Sequence, residues 1–166
     1  MTTSHSERPV FISIVVMLTY FIIDNHLPMF PWNNLAHAGS QWPSTLMGVI
    51  SFGVCILLIN SANVIGAAIA AIWSVAWLAL QVHQWWVPYF FGSTPTQADL
   101  SWFLEGGYHT TLRILPIAAE RPSPDLQHMV LQSLSLLVVV FAMRHFRVIK
   151  TAHKSHTLLH KSTGTL

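Results

Sequence analysis

Residues 44–82 read STLMGVISFGVCILLINSANVIGAAIAAIWSVAWLALQV, and how they are folded decides the architecture. Nearly every position is apolar; the one turn-like cluster is Asn60-Ser61-Ala62-Asn63. A helix crossing the hydrocarbon core of a bilayer needs about 20 apolar residues. One unbroken helix over these 39 residues would be about 58 Å long at 1.5 Å per residue, nearly twice that core. The stretch therefore predicts a tight hairpin of two spans, about 44–60 and 62–82. The alternative, one bent helix, would leave three spans and place the N-terminus on the other side.

Two further spans flank the hairpin. FISIVVMLTYFII follows Val10 and meets Asp24, Asn25 and His26, with Pro28 and Pro31 beyond, so the first span is placed at about 9–28. The last is placed at about 124–146, with Ser123 as its N-cap, Pro124 in the first helical position and Asp125 at the positive end of the helix dipole. The expected fold is an all-α, four-helix integral membrane bundle forming a single membrane domain over 1–166. Residues 83–123 form an external cap and 147–166 a basic tail.

Composition agrees. Of 166 residues 52% are hydrophobic and 8% charged, where a soluble domain carries about 25% charged residues. Mean hydropathy is +0.50. Disorder, collagen and coiled coil are excluded, and eight Lys/Arg cannot build a nucleic-acid-binding face. The lone Cys55 excludes an intrachain disulfide. Arg8, Arg144, Arg147, Lys150, Lys154 and Lys161 lie near the termini, whereas loops 29–43 and 83–123 hold only Arg113 and Arg121. The positive-inside rule then predicts cytoplasmic termini and external long loops. Ala36-His37-Ala38 imitates a signal-cleavage site but lies too far beyond Ile23, so the first span is expected to be retained.

Small residues predict how the bundle closes. Gly66, Ala70 and Ser74 recur at four-residue spacing, and Gly48, Ser51 and Cys55 share a face. Close packing inside the hairpin is the plain reading and a homo-oligomer interface the functional one. Trp77, Trp85, Trp86, Tyr89, Phe90 and Phe91, with Trp32 and Trp42, read as an aromatic belt at headgroup depth. In the cap, Thr94-Pro95 reads as the start of a short interfacial helix through Leu100–Leu104, stopped by Gly106-Gly107.

Ionisable residues at membrane depth are costly, so they carry the functional signal. Asp24 and His26 close the first span, His83 the third, and Asp125 and His128 open the fourth, all on the predicted outer level. Asp125, His128, Gln132 and Ser135 are spaced 3, 4 and 3 apart, one stripe on an otherwise apolar helix. That stripe predicts either an interhelical hydrogen-bond seam or the wall of a ligand or proton site, with Asp24, His26, Asp125, His128, Gln132 and Ser135 as candidates. A divalent transition-metal site would draw on His83, Glu105, His109, Asp125 and His128, and a haem would need His83 and His128 facing each other. For hydrolysis, Glu105 or His128 could serve as base, with Arg113 and Arg121 holding an anion or pairing with Glu120 or Asp99. Neither a G-x-S-x-G elbow nor a phosphate loop occurs. The tail, with His153, His156 and His160 on one helical face, is read as a basic segment contacting anionic lipid. The function expected is a non-enzymatic accessory subunit of a larger membrane complex or a small-ligand or ion-handling bundle; the alternative is a membrane metalloprotein or metalloenzyme.

Overall fold

The computed structural model describes residues 4–36, 39–92, 100–116 and 121–163. They form α1 (Ser4–His26), α2 (Trp42–Asn60), α3 (Val64–Phe91), a short α4 (Leu100–Glu105), a 3-10 turn (Tyr108–Thr110) and α5 (Leu126–Thr163). No strand occurs among the described residues, and α1, α2, α3 and α5 are each long and apolar enough to cross a membrane.

The hairpin forms where the polar cluster interrupts the apolar run. Helix α2 ends at Asn60, and Ser61 donates its N–H to the Leu57 carbonyl. Ala62 takes a left-handed φ of 50°, and the Asn63 side chain then caps α3 by accepting from Ile65 N at 2.8 Å. Four residues thus reverse the chain and satisfy the helix ends, which rules out one bent rod. We call this the hairpin end of the bundle and the opposite end, carrying α4, the cap end.

Packing runs in a ring. α5 contacts α3 and α1 most extensively, and α2 fills the remaining side between α1 and α3. The core joins Val10, Ile14 and Met17 of α1, Phe52, Cys55 and Ile59 of α2, Ala70, Ala71 and Trp77 of α3, and Leu131, Val138 and Ala142 of α5. The small-residue stripes are used inside the chain: Gly48 and Cys55, and Gly66, Ala70 and Ser74, are buried. A methyl group on Gly66 would lie 2.8 Å from the Leu58 carbonyl oxygen, so α2 and α3 touch backbone to backbone there.

Three expectations are corrected. α3 continues through the expected start of the cap to Phe91, where Arg121 Nη1 donates to the Phe90 carbonyl at 3.0 Å. α5 does not stop near 146 but runs helically to Thr163. Of the expected aromatic belt, Trp42, Phe90 and Phe91 are exposed, but Trp77 is not a belt residue: its ring is buried edge-on against Phe21 (5.8 Å) and Phe52 (5.4 Å). Of the expected cap helix, Leu100–Glu105 is present and Gly107, at φ 72°, ends the segment; Thr94-Pro95 lies outside the described residues. So do His37, Ala38 and the side chains of His156 and His160.

The Gly66 contact gives a direct test. Gly66→Val is expected to lower bundle stability by about 1–3 kcal/mol through overpacking against backbone. Gly53→Ala, where nothing lies within 4 Å of the added methyl, is expected to be neutral or to gain about 0.5–1 kcal/mol from helix propensity. Unfolding in mild detergent, followed by far-UV circular dichroism, measures both.

Candidate functional site

At the cap end the buried stripe of α5 meets two connecting segments. The first is the return after α1. Its anchor is Asn33, 1% exposed, whose Nδ2 donates to the carbonyls of Asp24 (2.7 Å) and Leu27 (2.9 Å) and whose Oδ1 accepts from Met29 N (2.7 Å). One short amide side chain thus fixes the chain as it leaves α1. The second segment, 107–116, is bound to the first by Leu112 N to Pro31 O (2.9 Å) and to the start of α5 by Leu126 N to Leu112 O (2.8 Å).

Asp125 joins these parts. Its side chain is completely buried. Oδ1 accepts from the backbone N–H of His128 at 3.1 Å, so Asp125, rather than Ser123, is the N-cap of α5. The same oxygen meets His128 Nδ1 at 2.5 Å, while Oδ2 accepts from Thr111 Oγ1 (2.8 Å) and Gln127 Nε2 (3.1 Å). Burial by itself would raise the Asp125 carboxyl pKa. The charge of His128 and the hydrogen bonds from His128 and Thr111 outweigh it, and the carboxyl is held below the usual carboxylate range.

His128 is oriented by aromatic rings as well. It lies against Trp85, with centroids 3.9 Å apart, and meets Tyr108 at 5.8 Å. Since Nδ1 faces Asp125, Nε2 is the ring nitrogen not engaged by that carboxylate. Burial, and then the negative charge of Asp125 and Asp24, raises the Tyr108 hydroxyl above its ordinary range, so it stays a proton donor. Asp24, only 6% exposed, lies within electrostatic reach of both His128 and Asp125. Its Oδ1 is buried with no hydrogen-bond partner among the described residues.

The rest of the stripe forms the seam. Gln132 Oε1 accepts from Trp86 Nε1 (2.7 Å), and Ser135 Oγ accepts from Gln81 Nε2 (2.9 Å), tying α5 to α3. Tyr20 of α1 donates to the Gln127 carbonyl at 2.9 Å and accepts from Trp32 at 3.2 Å. The stripe thus carries a buried Asp125–His128 pair at the start of α5 and a hydrogen-bond seam at Gln132 and Ser135.

The other candidates are placed elsewhere. His26 bonds Thr45 Oγ1 at 3.0 Å and lies on Trp42 at 4.3 Å, joining α1 to α2. His83 is exposed, because α3 is still helical there and Trp85, two residues on and about 200° around the helix, takes the inward direction. Glu105 and His109 are also exposed; Phe103, Gly107 and Thr111 occupy the inward positions of that segment. The proposed set of His83, Glu105, His109, Asp125 and His128 therefore does not converge. Among the described residues no three His, Cys, Asp or Glu side chains could hold a metal ion. The imagined haem between His83 and His128 fails for the same reason. The ion pairs of Arg113 with Asp99 or Glu120 involve acids outside the described residues.

Sequence reading did not single out Thr111, Trp85, Tyr108 and Asn33 as site residues. Thr111 and Asn33 carry no signal in a loop until their partners are known. Trp85 reads as a belt residue from the sequence, because a tryptophan near a span's end is the ordinary belt pattern. No protein-family model matches this chain, and neither curated proteins nor solved structures show significant similarity to it.

Replacing Asp125 by Ala removes the shared acceptor of Thr111, Gln127 and His128. We expect a loss of about 3–5 kcal/mol, the cost of breaking a buried charged pair. Asp125→Asn should cost less. Because the folded carboxyl titrates below its unfolded value of about 3.9, its contribution is fully present above that pH. It is lost as the pH falls through the lower folded value. Wild-type stability should thus drop more steeply with acid below about pH 4 than that of Asp125→Asn, as acid titration by circular dichroism would register.

Proposed function

We propose that the chain is a multi-pass membrane protein that handles protons, without catalysing a covalent reaction, through Asp24, Asp125 and His128 at the cap end. The observation that carries this reading is the buried, unpartnered Oδ1 of Asp24 within reach of the Asp125–His128 pair. Two carboxylates sharing one imidazole leave a negative charge without a partner in a largely buried site, and a mobile proton is the species that relieves it. Ionisable side chains at membrane depth in proton-handling proteins sit in this way, facing the bundle interior.

The α5 stripe supports a route inward. Gln132 and Ser135 continue it with polar atoms, Val138 and Ala142 interrupt it, and His145 resumes it near the hairpin end, 1% exposed and bonded to Ser6 Oγ at 3.0 Å. The apolar interval would make transfer slow and gated by water entry. Proteoliposomes carrying an internal pH dye test this reading. Wild-type protein is expected to dissipate an imposed pH gradient faster than protein-free vesicles, and Asp24→Asn and His128→Gln to slow it by about tenfold or more. A wild-type rate equal to that of empty vesicles overturns it.

The hairpin end belongs on the cytoplasmic side in this reading. Arg8, Arg144, Arg147, Lys150 and Lys154 are all exposed there, suited to anionic headgroups, whereas the cap end carries Arg113 and Arg121. An impermeant maleimide applied to intact cells is expected to label Asn34→Cys and to spare Ser61→Cys; Cys55 is buried and adds little background. The reverse labelling pattern would invert the orientation.

A further inference from the structure

Arg113 is not among the residues of the proton site, yet its side chain is held in place. Its guanidinium carbon lies 4.6 Å from the centroid of the Phe103 ring. Its Nη1 donates to Ser123 Oγ at 3.3 Å, and Ser123 is itself completely buried. Phe103 in turn stacks on Tyr108, with centroids 6.3 Å apart. The segment that presents Arg113 is pinned immediately before it, by Thr111 to Asp125 and by Leu112 to Pro31. The side chain is thus pre-positioned by an aromatic face, one hydroxyl and a fixed backbone.

What this support leaves over is the other edge of the guanidinium. Nε and Nη2 are both buried, and neither meets a hydrogen-bond acceptor among the described residues. Those two N–H groups point in the same direction and form the fork that matches two oxygens of a carboxylate or phosphate. A buried donor without an acceptor is costly, and more so when it is charged. Asp125, the nearby carboxylate in electrostatic contact with Arg113, has its oxygens taken up by Thr111, Gln127 and His128. Nothing in the described structure uses the fork.

We infer that Arg113 is the seat of an oxyanion at the cap end, taking the phosphate of a small anion or of a lipid headgroup through its Nε and Nη2. Phe103 holds the guanidinium plane from one face, and Ser123 occupies the remaining nitrogen so that the fork cannot rotate away. The seat stands apart from the proton site and does not require it, although the Phe103–Tyr108–His128 ring contacts place the two side by side.

The probes are inorganic phosphate and phosphatidylglycerol. Full-length protein in phosphatidylcholine nanodiscs is titrated with phosphate against chloride at matched ionic strength, and its thermal midpoint is followed. A second preparation replaces part of the phosphatidylcholine by phosphatidylglycerol. A rise with phosphate, with the half-saturating concentration at least about tenfold higher in Arg113→Lys, supports a free-anion site. A rise only with phosphatidylglycerol, likewise lost in Arg113→Lys, supports a headgroup site. Arg113→Lys keeps the charge and the stem but loses the fork, and a general salting effect of phosphate would be shared by wild type and variant. No rise in either preparation, or an equal rise in the variant, overturns the inference. Should the variant fail to fold, the Arg113 Nε resonance of wild-type protein decides: an unchanged resonance in both phosphate and phosphatidylglycerol also overturns it. Asp24→Asn is expected to retain the anion response, so failure of the proton reading and failure of this one are separable.

Discussion

One buried carboxylate organises the cap end. Asp125 starts α5 as its N-cap, orients His128, and receives Thr111 from the connecting segment, all through two oxygens. The segment cannot close over the bundle elsewhere, because Thr111 and the Leu112–Leu126 backbone pair fix where it returns. In a low-dielectric setting such a group is stable only when its lone pairs are met by donors. That condition selects the local structure around it: a helix beginning at Leu126, an imidazole one turn on, a threonine opposite. The electrostatic character of the site follows from the same condition. Both oxygens of Asp125 meet donors, whereas Oδ1 of Asp24 nearby meets none among the described residues.

The division of labour along α5 has a simple physical basis. A helix in lipid gains little from burying apolar side chains against other apolar side chains, so its position is set by close packing and by polar contacts. α5 uses both. Toward the cap end, Gln132 and Ser135 bond to Trp86 and Gln81 of α3. In the middle, Val138 and Ala142 pack against the core. Toward the hairpin end, His145 meets Ser6 of α1. α3 and α1 are therefore both registered against α5, and α2 is registered against α3 by the backbone contact at Gly66. The site depends on that register, because His128 is presented to Trp85 only when α3 and α5 are correctly aligned along their lengths.

The cap end also separates two kinds of charge. The acids sit inward with His128, while the guanidinium of Arg113 is supported by Phe103 and Ser123 with one edge unused. Tyr108 stands between them, in ring contact with both Phe103 and His128.

The sequence alone determined the four spans, the turn at 60–63 and the inward stripe of α5, because each follows from helical periodicity and from the cost of polar backbone in lipid. Asp24, Asp125 and His128 stood out for the same reason: a charge at the end of an apolar span is costly and needs partners. Only the tertiary structure decided which of the other polar residues joined them. His83 and Trp85 are two positions apart, and the length of α3 decided which one faced inward. Glu105 and His109 gave way to Thr111 because the connecting segment is set by backbone pairing with Pro31 and Leu126. Loop residues such as Asn33 and Arg113 owe their roles to partners distant along the chain, and spacing along one strand of sequence does not encode a distance between two.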